Sequence, residues 1–405
     1  MKRILTILLC LLLSIGLLAG CGASAQDAAE DEVLHTIAVA VYDPTDPEMA
    51  LFISYYQDYI AESFPVEFLI SGALDSSEDE IDFLAAAKEA GAEAVISFYG
   101  EDLAAIVEAC TELELYCVKG SASISDEDYE ALKDNPWFLG VIGPSEDEEL
   151  QVGADMAAAF VSEGAASFLI MTGGAGGEVN FMQYTRTVGM LTQLAEELDL
   201  AYEEAAETLA AAESLTVVET GRDDVTIVLS PGYPQTEAGQ STLAEALALT
   251  EYDAVLSVVG ITDVSDLLAE QDLLVGVVDC FSEENLALVG AGTLDYAAGK
   301  YASMVAPAFA AVFNALEGDA DLVNPDGEAF RLYQSYWVAA DAAEYEELYG
   351  YTQSIFENAY SAADLMSVIR AYSEEAAYED FCALAEASDI ESVRARLNDA
   401  GQAAD

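Results

Sequence analysis

The stretch MTGGAGGEVNFMQYTRTVG, Met171 to Gly189, places four glycines in a five-residue window between an apolar run and a helical one. Backbone N–H groups of such a turn can cradle a phosphate. A P-loop, however, continues into Lys-Ser/Thr, and a dinucleotide fold opens its helix with G-x-G-x-x-G. Here Gly173, Gly174, Gly176 and Gly177 lead to Glu178, whose carboxylate repels a phosphate. The turn is therefore read as a loop for another ligand, or as a plain connection. Arg186 follows on the next helix. Its planar fork of donors suits a carboxylate or vicinal hydroxyls, and it can equally pair with a local acid such as Glu178. Cations are scarce: 12 Lys and Arg stand against 76 Asp and Glu, and His35 is the single histidine. Imidazole metal sites and Ser-His-Asp or Cys-His engines are thereby excluded. A pair of carboxylates, as in a glycosidase, is the one enzymatic chemistry the composition leaves open. No metal and no cofactor is expected, and the function expected is not enzymatic.

The formal charge of −64 over 405 residues excludes binding to nucleic acid or anionic lipid by charge. The opening MKRILTILLCLLLSIGLLAGCGASAQ has a basic start and an apolar run, Ile4 to Leu18, too short to span a bilayer comfortably. It ends in Leu18-Ala19-Gly20-Cys21, which resembles a bacterial lipobox. On that reading residues 1–20 are a signal peptide and Cys21 carries lipid. Residues 21–34 form a small, acidic tether reaching about 20 Å. The expected location is the extracytoplasmic face of the cell membrane. Cys110 and Cys117 flank one short connection; they are read as either bridged or free buried thiols.

These residues need elements to position them. Beyond His35 apolar strand-like runs alternate with helical ones. TIAVAVY (36–42), VEFLI (66–70), AEAVISFYG (92–100) and LYCVKG (115–120) read as strands separated by helices. After a polar break the alternation resumes with FLGVIG (138–143), ASFLIMT (166–172), VTIVLSPG (225–232), DAVLSVVG (253–260) and LLVGVVDCF (273–281). The Ala/Glu-rich stretch 203–214 reads as an exposed helix, YAAGKYASMVAPAFAAVFNALEG (296–318) as one helix, and the last 60 or so residues as helical. Such alternation predicts an α/β fold with parallel sheets covered on both faces.

Five stretches, in order, resemble the type 1 periplasmic binding protein superfamily: IAVAVYDPTDPEM, GAEAVISFYGEDLAAIVEACTELELYCV, FLGVIGPSEDEELQVGADMAAAFV, NFMQYTRTVGM with its R-x-x-G, and VGVVDCF. The resemblance covers about residues 35–340. It implies two Rossmann-like lobes with parallel sheets, joined by a multi-strand hinge, plus a C-terminal helical extension. The N-terminal lobe is expected over 35–137 and 294–326, the C-terminal lobe over 138–293 and 327–340. Residues 341–405 form the extension, expected to cover one lobe. Hinge segments are expected around 121–138, 279–295 and 327–336. The resemblance implies a monomeric substrate-binding lipoprotein that carries a small polar ligand, a sugar or related solute, to the transmembrane subunits of an ABC permease. A nucleoside-binding lipoprotein of the basic-membrane-protein kind and a ligand sensor without transport are the alternatives.

Ligands of open α/β sheets bind beyond the carboxyl ends of the strands. The residues there are Tyr42, Asp43, Tyr99 and Lys119 in the first lobe, and Asn180, Arg186, Tyr233, Asp263 and Asp279 in the second. Arg186 falls on the family's ligand arginine and Asp279 on its strand-end aspartate. Asp295 stands where a polar side chain near a crossing reaches the ligand. One departure is Gly260, at a point where the sugar-binding branch carries Asn-Asp.

Overall fold

The computed structural model describes residues 33–99, 102–174, 180–353 and 359–403. Cys21, the expected signal peptide and most of the tether lie outside the described residues, as do 175–179 of the glycine run.

The first lobe begins with β1 (His35–Ala40) and α1 (Pro47–Ser54), which continues as a π-helical turn through Ile60. Then come β2 (Val66–Ile70), α2 (Ser77–Glu89), β3 (Ala94–Ser97), α3 (Leu103–Leu113), β4 (Tyr116–Gly120), α4 (Asp126–Leu132) and β5 (Phe138–Gly143). β1 is buried on both faces, as a central parallel strand must be. Ile37 and Val39 face one core; Ala38 and Ala40 face another, with Leu84 and Ile106 of the covering helices.

The second lobe runs α5 (Glu146–Ser162), β6 (Ser167–Gly173), α6 (Phe181–Leu198), α7 (Ala206–Ala210), β7 (Thr216–Val217), β8 (Thr226–Pro231) and α8 (Glu237–Leu247). It continues with β9 (Ala254–Ser257), α9 (Ser265–Ala269), β10 (Leu274–Cys280), α10 (Glu283–Ala291) and β11 (Tyr296–Lys300). The chain returns to the first lobe as α11 (Ala306–Leu316), α12 (Ala320–Val323) and β12 (Phe330–Tyr333), then adds β13 (Trp337–Ala339) to the second. The extension is α13 (Ala342–Gln353), α14 (Ala362–Val368), α15 (Tyr378–Glu386) and α16 (Ile390–Ala403).

The sheets have the orders β12-β5-β4-β3-β1-β2 and β13-β11-β10-β9-β6-β8-β7. All pairings are parallel except β13 on β11 and β7 on β8, at the two edges of the second sheet. The expected two-lobe α/β architecture is therefore present, with displaced seams. β5 pairs β4 and β12 in the first sheet, and β11 pairs β10 in the second. The crossings fall at 144–145, 301–305 and 334–336, rather than at 137/138, 293/294 and 326/327. The expected helix 296–318 is a strand, a 3₁₀ turn (Ala302–Val305) and a helix that starts with Pro307 in its first turn. Proline there lacks only an N–H that the first turn leaves unbonded anyway. The exposed helix expected over 203–214 reduces to the five residues of α7.

The extension does not cover one lobe. α13 packs on α10 and β13 of the second lobe, whereas α14 and α15 pack on α11 and β12 of the first. Cys110 and Cys117 are free thiols buried side by side. No helix among the described residues is long and apolar enough to cross a membrane.

Candidate functional site

The carboxyl ends of the first sheet carry the polar residues of one wall. Pro47 opens α1, and Asp46 caps it: one carboxylate oxygen, Oδ1, accepts from the N–H groups of Glu48 (2.9 Å) and Met49 (3.3 Å) and from the Tyr42 hydroxyl (2.7 Å). Asp43 folds its carboxylate onto Thr45 N and Oγ1, shaping the loop. Glu48 lies in the first turn, and its Oε1 is 3.2 Å from the Nζ of Lys300, the last residue of β11 in the other lobe. Lys300 also donates to the Ser121 carbonyl at 3.2 Å. Ser121 holds a left-handed backbone, φ 54°, just after β4. A non-glycine residue tolerates this at a cost of order 1–3 kcal/mol, and it serves to aim that carbonyl.

Lys119, next to last in β4, is 6% exposed and forms no hydrogen bond or ion pair among the described residues. Burial pushes its ammonium down to about 8, against the pull of Glu80. Glu80 is fully buried: Oε1 accepts from Ser97 Oγ at 2.6 Å, and Oε2 has no partner. The Ser121 and Ser123 hydroxyls are likewise buried without partners. Such orphaned polar atoms are costly, and here they gather along the loop after β4 and the neighbouring strand end.

The facing wall centres on Asp279 at the end of β10. Asn285 donates to its Oδ2 at 2.7 Å and to the Cys280 carbonyl at 3.0 Å. Burial, with help from Asp46 and Glu48 opposite, pushes Asp279 up to about 7 although Asn285 pulls it down. Gly260 leaves room for this carboxylate, since a Cβ there would stand 2.9 Å from Asp279 Oδ2. The asparagine expected at that place by resemblance would therefore displace the acid.

Arg186 stands behind this wall, and its fork does not reach forward as expected. Nε donates to Glu149 Oε2 at 2.6 Å, Nη1 to the Val258 carbonyl at 3.0 Å, and Nη2 to Glu149 Oε1 and the Tyr336 hydroxyl. Tyr336 returns a hydrogen bond to Glu149 at 3.0 Å. Burial opposes the charge, but the Glu149 carboxylate holds the guanidinium above its usual range. The pairing depends on two glycines. A Cβ on Gly153 would lie 2.1 Å from the Arg186 carbonyl, and one on Gly189 2.1 Å from that of Leu150. The backbones of α5 and α6 thus touch, which seats Glu149 against Arg186. Tyr336 lies in the third crossing, so this triad ties the second lobe to its hinge.

Glu48 acts electrostatically on Asp279, Tyr42 and Arg186 alike. Tyr42, Glu48 and Asp279, with the Glu48-paired Lys300, therefore lie close together where the carboxyl ends of the two sheets meet, and Arg186 lies just behind them. The remaining expected site residues make other contacts. Asn180 is an exposed cap of α6, accepting from Met182 N and Gln183 N. Asp263 is exposed in the 3₁₀ turn after β9. Tyr99 packs on the α2/α3 side of the first lobe, and Tyr233 against the second-lobe core. Asp295 sits at the amino ends of its sheet, where its Oδ2 accepts from Val275 N at 2.8 Å, so it faces away from the crevice. His35 opens β1 and joins Glu93 to Glu317, also at amino ends. Among the described residues no cluster of His, Cys, Asp and Glu could hold a metal.

Sequence reasoning missed Asp46, Glu48, Glu80, Asn285 and Lys300. The Asp46-Pro47 pair is a legible helix start. Lys300 was hidden inside the supposed helix 296–318, which Pro307 should have shortened.

The chain folds into two parallel-dominated α/β lobes and crosses between them three times. Solved structures with this fold include a galactofuranose binding protein, 12% identical with a TM-score of 0.56, covering 79% of this chain and 99% of that one. The periplasmic component of the arabinose ABC transporter from Shewanella sp. ANA-3 is 13% identical with a TM-score of 0.56, covering 82% and 97%. The fructose binding periplasmic domain of a hybrid two component system is 13% identical with a TM-score of 0.54, covering 80% and 96%. The fold is that of the type 1 periplasmic binding proteins. No family model and no curated protein matches the sequence.

Proposed function

We propose that the chain is an extracytoplasmic solute-binding lipoprotein, anchored through Cys21, that closes on a small polar ligand and hands it to an ABC permease without transforming it. The observation that carries this is the crevice itself. Among the described residues Lys119 Nζ and one carboxylate oxygen of Asp46 form no hydrogen bond on one wall, and Asp279 faces them with its carboxyl held by Asn285 and Cys280. A polyhydroxylated, uncharged solute such as a monosaccharide complements that mixture, since each hydroxyl both donates and accepts. Binding proteins for galactofuranose, arabinose and fructose share the fold, which favours a sugar over a nucleoside. Contacts to both lobes shift the population toward the closed form, which a permease would recognise.

A thermal-shift panel of pentoses, hexoses, inositol, nucleosides and amino acids tests the reading. A ligand at about 100 Kd adds about 2.7 kcal/mol of stability. A sugar is expected to give that shift, and Asp279→Asn to weaken it. A panel in which only nucleosides or amino acids act would overturn the sugar assignment. The fructose-binding sensor domain supports sensing as the second reading. Loss of solute uptake on deletion of the chain supports delivery, whereas intact uptake with a lost transcriptional response assigns sensing. Palmitate labelling that survives Cys21→Ser would refute the anchor.

A further inference from the structure

The C-terminal extension bridges the hinge. Its first helix, α13, belongs with the second lobe: the buried Tyr345 hydroxyl accepts from Ser282 N at 3.1 Å and donates to the Cys280 carbonyl at 3.2 Å, just behind Asp279. Its later helices belong with the first lobe. Tyr55 donates to the Tyr360 carbonyl at 2.9 Å, and Asn314 of α11 holds the Val368 carbonyl (3.0 Å) and Arg370 N (2.9 Å). Two joints connect these halves. At the first, Ser388 is fully buried; its carbonyl accepts from Tyr301 Oη and Trp337 Nε1, both at 3.0 Å, and its Oγ accepts from Ser335 N at 2.9 Å. Tyr301 begins the second crossing, Ser335 lies in the third, and Trp337 follows it directly. Tyr301 and Trp337 stack at 3.9 Å, so one residue of the extension fastens both crossings together. At the second joint, Arg394 of α16 pairs with Glu347 of α13 at 2.6 Å.

We propose that residues 342–403 act as a hinge brace that restricts lobe opening and so raises the fraction of molecules already competent to bind. Opening turns one lobe about the crossings. Arg396 of α16 donates to the Ala359 and Ala387 carbonyls, beside the Tyr360 carbonyl that Tyr55 of the first lobe holds. The motion therefore carries α13 with one lobe and α16 with the other, and so parts Arg394 from Glu347 and works against the three hydrogen bonds at Ser388. A ligand that binds only the closed form loses affinity in proportion to the open fraction; the brace reduces that loss from outside the crevice. The inference rests on the hinge motion of the proposed function but on no particular ligand.

The test is double electron–electron resonance on the ligand-free full chain, with spin labels at Glu89→Cys and Glu196→Cys, both exposed and on different lobes, in a Cys382→Ser background. The unsubstituted hinge is expected to give one narrow distance band. Arg394→Glu adds a longer component with about a two- to five-fold larger open fraction, in keeping with an exposed ion pair. Combining it with Glu347→Arg restores the narrow band. Tyr301→Phe keeps the ring stack and removes only the hydroxyl, so it probes the Ser388 joint even if charge reversal unfolds α16; it is expected to widen the band as well. Unchanged bands in both single variants, or a widening that the charge swap does not reverse, overturn the brace. Because no ligand is present, a wrong sugar assignment leaves this result untouched.

Discussion

Glu149 has no exposure and its partner Arg186 has 6%, so removing one member strands the other. Glu149→Ala deletes the acceptor for Nε and one of the two for Nη2, and takes the hydrogen-bond acceptor from Tyr336. Breaking a buried pair from one side costs about 3–5 kcal/mol, most of it the uncompensated charge. With about 2–4 °C per kcal/mol for a unit the size of the second lobe, the melting temperature should fall by roughly 6–20 °C. Replacing both, Glu149→Leu with Arg186→Met, removes the stranded charge and should recover most of that loss. Differential scanning calorimetry of the singles and the double closes the cycle. The same proteins report function: because the fork is spent on Glu149, Val258 and Tyr336, the double variant should keep the thermal shift given by its sugar. A double variant that folds but no longer binds would place Arg186 on the ligand and refute the assignment of a positioning role. A Glu149→Ala loss under about 1 kcal/mol would refute the energetic argument.

Asp279→Asn should raise the melting temperature at pH 8 and change it little at pH 4. The native carboxyl is held at about 7 against 3.8 in its ordinary state; the fold then binds the extra proton, so stability declines as pH rises through that window and is lowest above it. An equal effect at both pH values would contradict this. Lys119→Met should stabilise the ligand-free chain at pH 7 by on the order of 3 kcal/mol, because burial holds the native ammonium down at about 8, while weakening ligand binding. The cost of the buried charge should fade between pH 8 and 10.5, read by urea titration. Gly153→Ala should destabilise by about 2 kcal/mol or more because its Cβ meets backbone. Gly290→Ala, in α10 with nothing within 4 Å, should stabilise by about 0.5–1 kcal/mol; equal effects would remove the case for backbone contact between α5 and α6.

How far these elements could be read in advance follows from where their information resides. β1, β5 and β6 appear almost residue for residue in their apolar runs, because a strand buried on both faces must be continuously apolar. The seams were misplaced for a related reason. FLGVIG is equally apolar whether it pairs β4 or opens the second lobe, and pairing is decided by its partners β4 and β12 rather than by anything local. The run 296–318 failed differently: Tyr-Ala-Ala-Gly-Lys has helical composition, yet Gly299 packs under the Phe281 ring, and a Cβ there would stand 3.1 Å from it. Tertiary contact overrode propensity, and Lys300 was lost with the strand it ends.

The same distinction governs the site. Asp279 and Lys119 were legible as strand-end residues because the apolar runs of β10 and β4 stop there, and the carboxyl ends of an open α/β sheet are where ligands bind. Arg186 was legible as important, being one of few cations among many acids, but its direction was not. That direction is set by Glu149, 37 residues earlier on a helix whose approach depends on Gly153 and Gly189. Such a partner is absent from any local window. Scarcity of cations therefore identifies which residues carry electrostatic weight, and the close packing of α5 on α6 decides that this weight holds the hinge-side Tyr336 rather than the solute. On the proposed function, Lys119 and the Glu48-paired Lys300 stand against Asp46, Glu80 and Asp279, a balance that would disfavour an anion and suit a ligand offering hydroxyl donors to both lobes.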